Sequence, residues 1–164
     1  MSGSGFTTKQ KAGAVLWAAL VVCIWAFIWS RSLYSAEESS QQSQWAADIL
    51  VRVLGTNSAF GAFVQEKVRK IAHGTEFAAL GFALAGFLGA ARLRDGHWLA
   101  HGLAFGMAVA LADEALQMLG DRGPMIADVL LDFCGYLCLF LPFFFLFRRK
   151  DSRVLRPEET GAAV

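Results

Sequence analysis

The 164-residue chain is poor in charge, in cysteine and in histidine, and each shortage excludes something. Charged residues make up 18% of it and the formal net charge is +1, so nothing draws it to a polyanion and nucleic-acid binding is excluded as its role. Three cysteines cannot build a disulfide framework; Cys23, Cys134 and Cys138 all lie in apolar runs, where thiols are expected to serve as small buried hydrophobes. Of the three histidines, His97 and His101 fall at the cytoplasmic start of helix three, leaving His73 without a second histidine on the outer side, which argues against a zinc site. The length leaves no room for a second sizeable core.

What the chain has in quantity is apolar sequence, 55% by composition. Soluble domains hold about 45–50%. The expected fold is therefore an all-α membrane protein. Four segments reach the roughly 20 apolar residues a bilayer crossing needs: residues 12–30, 71–91, 97–118 and 125–147. The first, preceded by Lys9 and Lys11, has no clean small-residue cleavage site after it and reads as an uncleaved transmembrane helix. Arg92–Gly96 forms a short polar turn between the second and third segments. Gly120–Pro124 forms another between the third and fourth, with Pro124 suited to a first helical turn.

Between the first two spans, Ser30–Gln44 is polar and rich in Ser and Gln. Trp45–Leu54 then sets Trp45, Ile49, Leu50 and Val53 against Asp48 and Arg52, the pattern of an amphipathic helix lying on a membrane surface. Phe60–Lys70 reads as a second such element or as the polar approach to the second span. The expected organisation is a cytoplasmic N-terminus over 1–11, a four-helix membrane domain over 12–147 and a disordered cytoplasmic tail over 148–164. Orientation follows the dense Arg148–Lys150 cluster, with Lys9, Lys11, Arg92 and Arg94 on the same side: both termini inside and the amphipathic segment outside a cell membrane crossed several times.

Gly81, Ala85 and Gly89 on the second helix and Gly102, Gly106 and Ala110 on the third repeat at four-residue spacing, which lets helix backbones approach closely. Pro142 is expected to kink the fourth helix.

Polar residues interrupt this apolar background in one stretch, Asp113–Gly135. A carboxylate at the bilayer centre costs about 2.5–3.5 kcal/mol on insertion scales, so several of them mark a site. Antiparallel topology brings His73 and Glu76 at the start of helix two, Asp113, Glu114 and Gln117 at the end of helix three, and Asp128 and Asp132 at the start of helix four to one depth, near the outer surface. His73 and Glu76 are three residues apart; Asp113 and Gln117, like Asp128 and Asp132, are four apart. Each helix thus presents one polar stripe, expected to turn inward. Glu114 lies about 100° round from Asp113. Arg69, Lys70 and Arg122 stand at the rim as counter-charges and anion-binding groups, and Asp113 and Glu76 are the candidate acid/base pair. No cofactor is demanded. The one opening is a divalent cation, since His73 with Asp113, Glu114, Asp128 and Asp132 could coordinate Mg²⁺, Ca²⁺ or Mn²⁺.

Arg69-Lys70-x-x-His73-x-x-Glu76-Phe77, followed by Asp113-Glu114-x-x-Gln117, Arg122 and Asp128-x-x-x-Asp132-x-x-Gly135, resembles the VanZ-like family, as does the Ser/Gln-rich segment after helix one. The resemblance covers about residues 12 to 147. Where Asp132 stands the family often has Asn or Asp, and it often has aromatic residues where Met118 and Leu119 stand. The resemblance implies a small bacterial membrane protein, in a family whose name-giving member is associated with teicoplanin resistance. It implies no particular reaction.

Three roles are open to such a cluster: a site that binds or processes an envelope lipid or lipid-linked cell-wall intermediate, a proton- or ion-coupled transport path, or structural bracing in an accessory protein. The first is favoured. Four helices are few for a transporter, and the inner half offers little polarity beyond His97 and His101. Bracing alone seldom needs so many carboxylates.

Overall fold

The computed structural model describes residues 8–34, 59–93, 95–119 and 126–152, with the backbone alone over 59–69 and 149–152, and Trp45, Ile49, Arg52 and Val53 from the segment after the first helix. Its described elements are four helices: α1 (Thr8–Ser32), α2 (Ala59–Ala90), α3 (Gly96–Met118) and α4 (Ile126–Ser152). All four are long and apolar enough to cross a membrane, and the spanning part of α2 is Lys70–Ala90. Trp45, Ile49, Arg52 and Val53 are helical and exposed, but the rest of the amphipathic segment, like the Gly120–Pro124 turn, lies outside the described residues.

Two boundaries differ from those expected. The α2 helix begins at Ala59, well before its apolar run, because Gln65, Glu66, Lys67, Arg69 and Lys70 are good helix formers and need no hydrocarbon around them. Similarly, α1 runs on to Ser32, taking Arg31 and Ser32 out of the polar connection and into the bundle. The α4 helix continues through Pro142 to Ser152.

Around the bundle the helices are not in chain order. The α2 and α4 helices share the most extensive interface, α1 lies against α2 and, less closely, α3, and α3 packs on α4 while barely touching α2. The short link from α2 to α3 therefore joins near-diagonal helices. It does so through a left-handed cap at Arg92 (φ 57°), where Leu93 N–H donates to Leu88 O (2.8 Å) and Arg92 N–H to Gly89 O (3.2 Å). Asp95, extended, then starts α3 by accepting Trp98 N–H at 3.0 Å.

Glycines set the helix separations. At the α2–α4 interface a Cβ on Gly135 would overlap the Gly74 carbonyl, and one on Gly81 would overlap the Tyr136 carbonyl, so these backbones pack directly on each other. On α3 the expected small-residue stripe receives aromatic rings: Phe140 fills the space at Gly102 and Tyr136 that at Gly106. The Tyr136 hydroxyl donates to Gly102 O at 2.8 Å, satisfying a polar group within the apolar core of Phe77, Leu80, Tyr136, Phe140 and Phe144.

The exterior is apolar. Leu16, Leu20, Val22, Phe27, Leu111, Leu130 and Leu146 are exposed, as expected of faces that meet hydrocarbon. The cysteines belong to this exterior too: Cys23, Cys134 and Cys138 are all exposed rather than buried in the core. In a bilayer the outside of the bundle is as apolar as the inside, so a thiol gains nothing by facing inward.

The close α2–α4 approach is testable. Gly135→Val forces the Gly74 and Gly135 backbones apart and costs about 1–3 kcal/mol, the range for overpacked cores. Gly13→Ala, where nothing lies within 4 Å, leaves stability unchanged. Thermal unfolding in detergent followed by tryptophan fluorescence separates the two.

Candidate functional site

The buried polar side chains among the described residues are Ser32, Asp113, Glu114, Gln117 and Asp132. All lie within about two helical turns of one end of the bundle, where α1 and α3 finish and α2 and α4 begin their spans. The shared depth expected of the polar stripes is what the structure has, and α1 joins the three helices expected to form it.

Asp113, with no exposed surface, is the centre. Ser32 Oγ, from α1, donates to its Oδ1 and also lies 3.0 Å from the Ile28 carbonyl one turn back. Gln117 Nε2, one turn along α3, donates to its Oδ2 at 2.7 Å. His73 Nδ1, from α2, stands 4.0 Å from the same Oδ2. Asp132, from α4, completes the group: ligand-type atoms of His73, Asp113 and Asp132 all lie within 4.8 Å of one another. Gly74 and Gly135 make this possible, since the helix contact they allow lies next to His73 on α2 and within one turn of Asp132 on α4.

The remaining stripe residues form ion pairs beside this centre. Glu76 Oε1 is 3.3 Å from Arg31 Nη1, and the Arg31 guanidinium also lies 5.8 Å from the centre of the Phe27 ring. Asp128 Oδ1 is 3.1 Å from Lys70 Nζ at the rim. Glu114 is buried next to Asp113 in the chain but is not part of the His73–Asp113–Asp132 grouping, in keeping with its different helix face. Of the three expected counter-charges only Lys70 can be placed; the Arg69 side chain and Arg122 lie outside what is described.

Arg31 and Ser32 are the residues that sequence reasoning missed. The signal was present: Ser30-Arg31-Ser32 ends an apolar run on the same side as the polar stripes, so the depth argument applied to helices two to four also applies to helix one. Grouping Ser30 with the polar connection concealed it.

The seam between α2 and α4 also carries a groove of about 430 Å³, lined by Lys70, Ile71, Gly74, Leu131, Cys134, Gly135 and Cys138. Its walls are apolar or carry thiols, and Lys70 lines it without presenting polar surface to it. The stretches of α2 and α4 that line it are those that supply His73 and Asp132.

A bundle of membrane-crossing helices with a carboxylate-rich cluster sunk into one end is thus the class that the fold and site define. The chain belongs to the VanZ/LLP1 family, whose model matches residues 17–148, a span that holds the last three spanning segments, most of the first and every cluster residue. No curated protein and no solved structure matches it.

The Arg31–Glu76 pair yields a test of how the cluster is balanced. Arg31→Met leaves the Glu76 carboxylate, mostly buried, without its cation and costs about 1–3 kcal/mol, below the value for a fully buried pair because Arg31 is partly exposed. Arg31→Met with Glu76→Gln recovers most of that loss. Thermal unfolding of both variants and of Glu76→Gln closes the cycle.

Proposed function

We propose that this VanZ-family membrane protein binds an anionic amphiphile, an envelope lipid or lipid-linked cell-wall intermediate, at the extracytoplasmic end of its bundle. The observation that carries this reading is the juxtaposition of the polar cluster with the α2–α4 groove. A shallow apolar groove of about 430 Å³ has Lys70, whose ammonium pairs with Asp128, among its lining residues, and the same helix segments supply His73 and Asp132. Such a groove takes an acyl or prenyl chain, Lys70, Arg69 and Arg122 are the cations offered to a phosphate, and the carboxylates accept hydrogen bonds from headgroup hydroxyls. A reaction at the headgroup would use Asp113 and Glu76 as proton carriers. Altered teicoplanin susceptibility is the cellular consequence this reading expects.

The outward orientation rests on charge. Lys9, Lys11, Arg92 and Arg148 lie at the opposite end from the cluster, and cytoplasmic ends are rich in Lys and Arg. Transport has less in its favour. The buried polar residues described all sit at one end, and at the other end His101 Nδ1 lies 2.6 Å from the His97 carbonyl on an exposed surface, so the described residues form no relay across the bundle.

Native mass spectrometry of the purified full chain tests the reading. An anionic lipid should be retained, and Lys70→Ala and the groove-filling Cys138→Trp should each reduce it about tenfold, the worth of ~1.4 kcal/mol of contact. Retention that is absent, or equal in all three proteins, contradicts it. Labelling of Tyr34→Cys, in a background with Cys23, Cys134 and Cys138 replaced by Ser, checks the side: a membrane-impermeant maleimide should react from outside intact cells.

A further inference from the structure

The polar cluster contains a donor set that its own hydrogen bonds leave incomplete. Asp132 is 3% exposed, and its Oδ1 is wholly buried with no hydrogen-bond partner. Among the described residues it pairs with no Lys or Arg, since Arg31 is engaged by Glu76 and Lys70 by Asp128. A carboxylate buried in this way is costly unless a cation meets it. It lies with Asp113 and His73, so among the described residues no group supplies that cation except a protonated imidazole.

We propose that His73, Asp113 and Asp132 form a binding site for one divalent transition-metal ion of the Mn²⁺ or Zn²⁺ type. The three ligands come from α2, α3 and α4, and their donor atoms already lie within 4.8 Å of one another. The 4.0 Å between His73 Nδ1 and Asp113 Oδ2 is wider than the roughly 3.4 Å that tetrahedral bonds of about 2.0–2.2 Å set between two ligand atoms, so the side chains draw inward when the ion binds. One nitrogen and two carboxylate oxygens suit a borderline ion better than Ca²⁺ or Mg²⁺, which favour all-oxygen or heavily hydrated sites. A single histidine does not bar zinc from such a set, because three protein ligands with an open position is a common arrangement at reactive zinc sites.

Supporting partners are in place. Gln117 and Ser32 each hold one oxygen of Asp113, fixing the carboxylate's orientation. The remaining coordination positions take water or an anionic oxygen of a ligand; that last step alone rests on the lipid reading, and the metal site stands without it.

The experiment uses the untagged full chain in detergent, stripped with chelator and titrated with Mn²⁺ and with Zn²⁺. Calorimetry should give one ion per chain, electron paramagnetic resonance of the Mn²⁺ form should show nitrogen coupling, and the ion should raise the thermal midpoint. His73→Gln should remove the nitrogen coupling, and both His73→Gln and Asp132→Asn should abolish the stoichiometric site. Ser32→Ala should keep it with affinity reduced about 10- to 100-fold. Thermal unfolding in chelator shows whether each variant is folded before titration. A His97→Gln/His101→Gln protein, altered at the opposite end, should bind as the unaltered chain does. Absence of binding, or binding undiminished in His73→Gln and Asp132→Asn, overturns the proposal; binding lost only in the His97/His101 variant overturns it too. Metal binding is read with no lipid present, so its failure leaves lipid retention to be judged by itself.

Discussion

The rest of the structure is arranged around one buried carboxylate. Asp113 has no exposed surface, and it survives there because Ser32 from α1 and Gln117 from its own helix donate to it while His73 from α2 and Asp132 from α4 close around it. A lone carboxylate moved out of water would cost many kcal/mol, so these partners have to be held in place by the bundle. The glycine contacts do that: Gly74 against Gly135 brings α2 and α4 to backbone contact beside the cluster, and Gly102 and Gly106 let Phe140 and Tyr136 lock α3 to α4 below it. Packing and chemistry are therefore one problem in this fold, solved with small residues where helices must meet and polar residues where they enclose a space.

The distribution of side chains is that of a protein whose solvent is lipid. Leucines and valines cover the outside, three thiols face outward with them, and acids lie inside at one end. Two ion pairs, Arg31–Glu76 and Lys70–Asp128, flank the central group and grade it toward the surface. The groove along α2 and α4 runs beside the cluster, with hydrocarbon-like walls on the helix segments that supply His73 and Asp132.

Much of this was legible in the sequence, for reasons that also explain what was not. Hydropathy located the four spans, and four-residue spacing placed Asp113 and Gln117 on one face, where they are hydrogen-bonded. Antiparallel order brought Glu76, Asp113 and Asp132 to one depth. Hydropathy measures what must be in lipid, however, and not where a helix ends; hence α2 starts earlier and α1 ends later than the apolar runs, and Arg31 and Ser32 enter the cluster unannounced. Nor does an apolar helix reveal which face turns inward when every face is apolar, so the outward setting of Cys134 and Cys138 was hidden. The near-diagonal placement of α2 and α3 belongs to the same class of information: chain order sets direction, while packing sets neighbours.

The central claim is that the acids are held for what they bind and not to brace the helices. Asp132 decides it, since its carboxylate makes no described hydrogen bond or ion pair and lies close to Asp113. Thermal unfolding of Asp132→Asn beside the unaltered chain, both in chelator and detergent, is the direct measurement. If the cluster is a site kept at the expense of stability, removing one buried charge leaves the midpoint equal or raises it. A fall in the midpoint, or loss of folded protein, would show that Asp132 braces the bundle and would contradict the account.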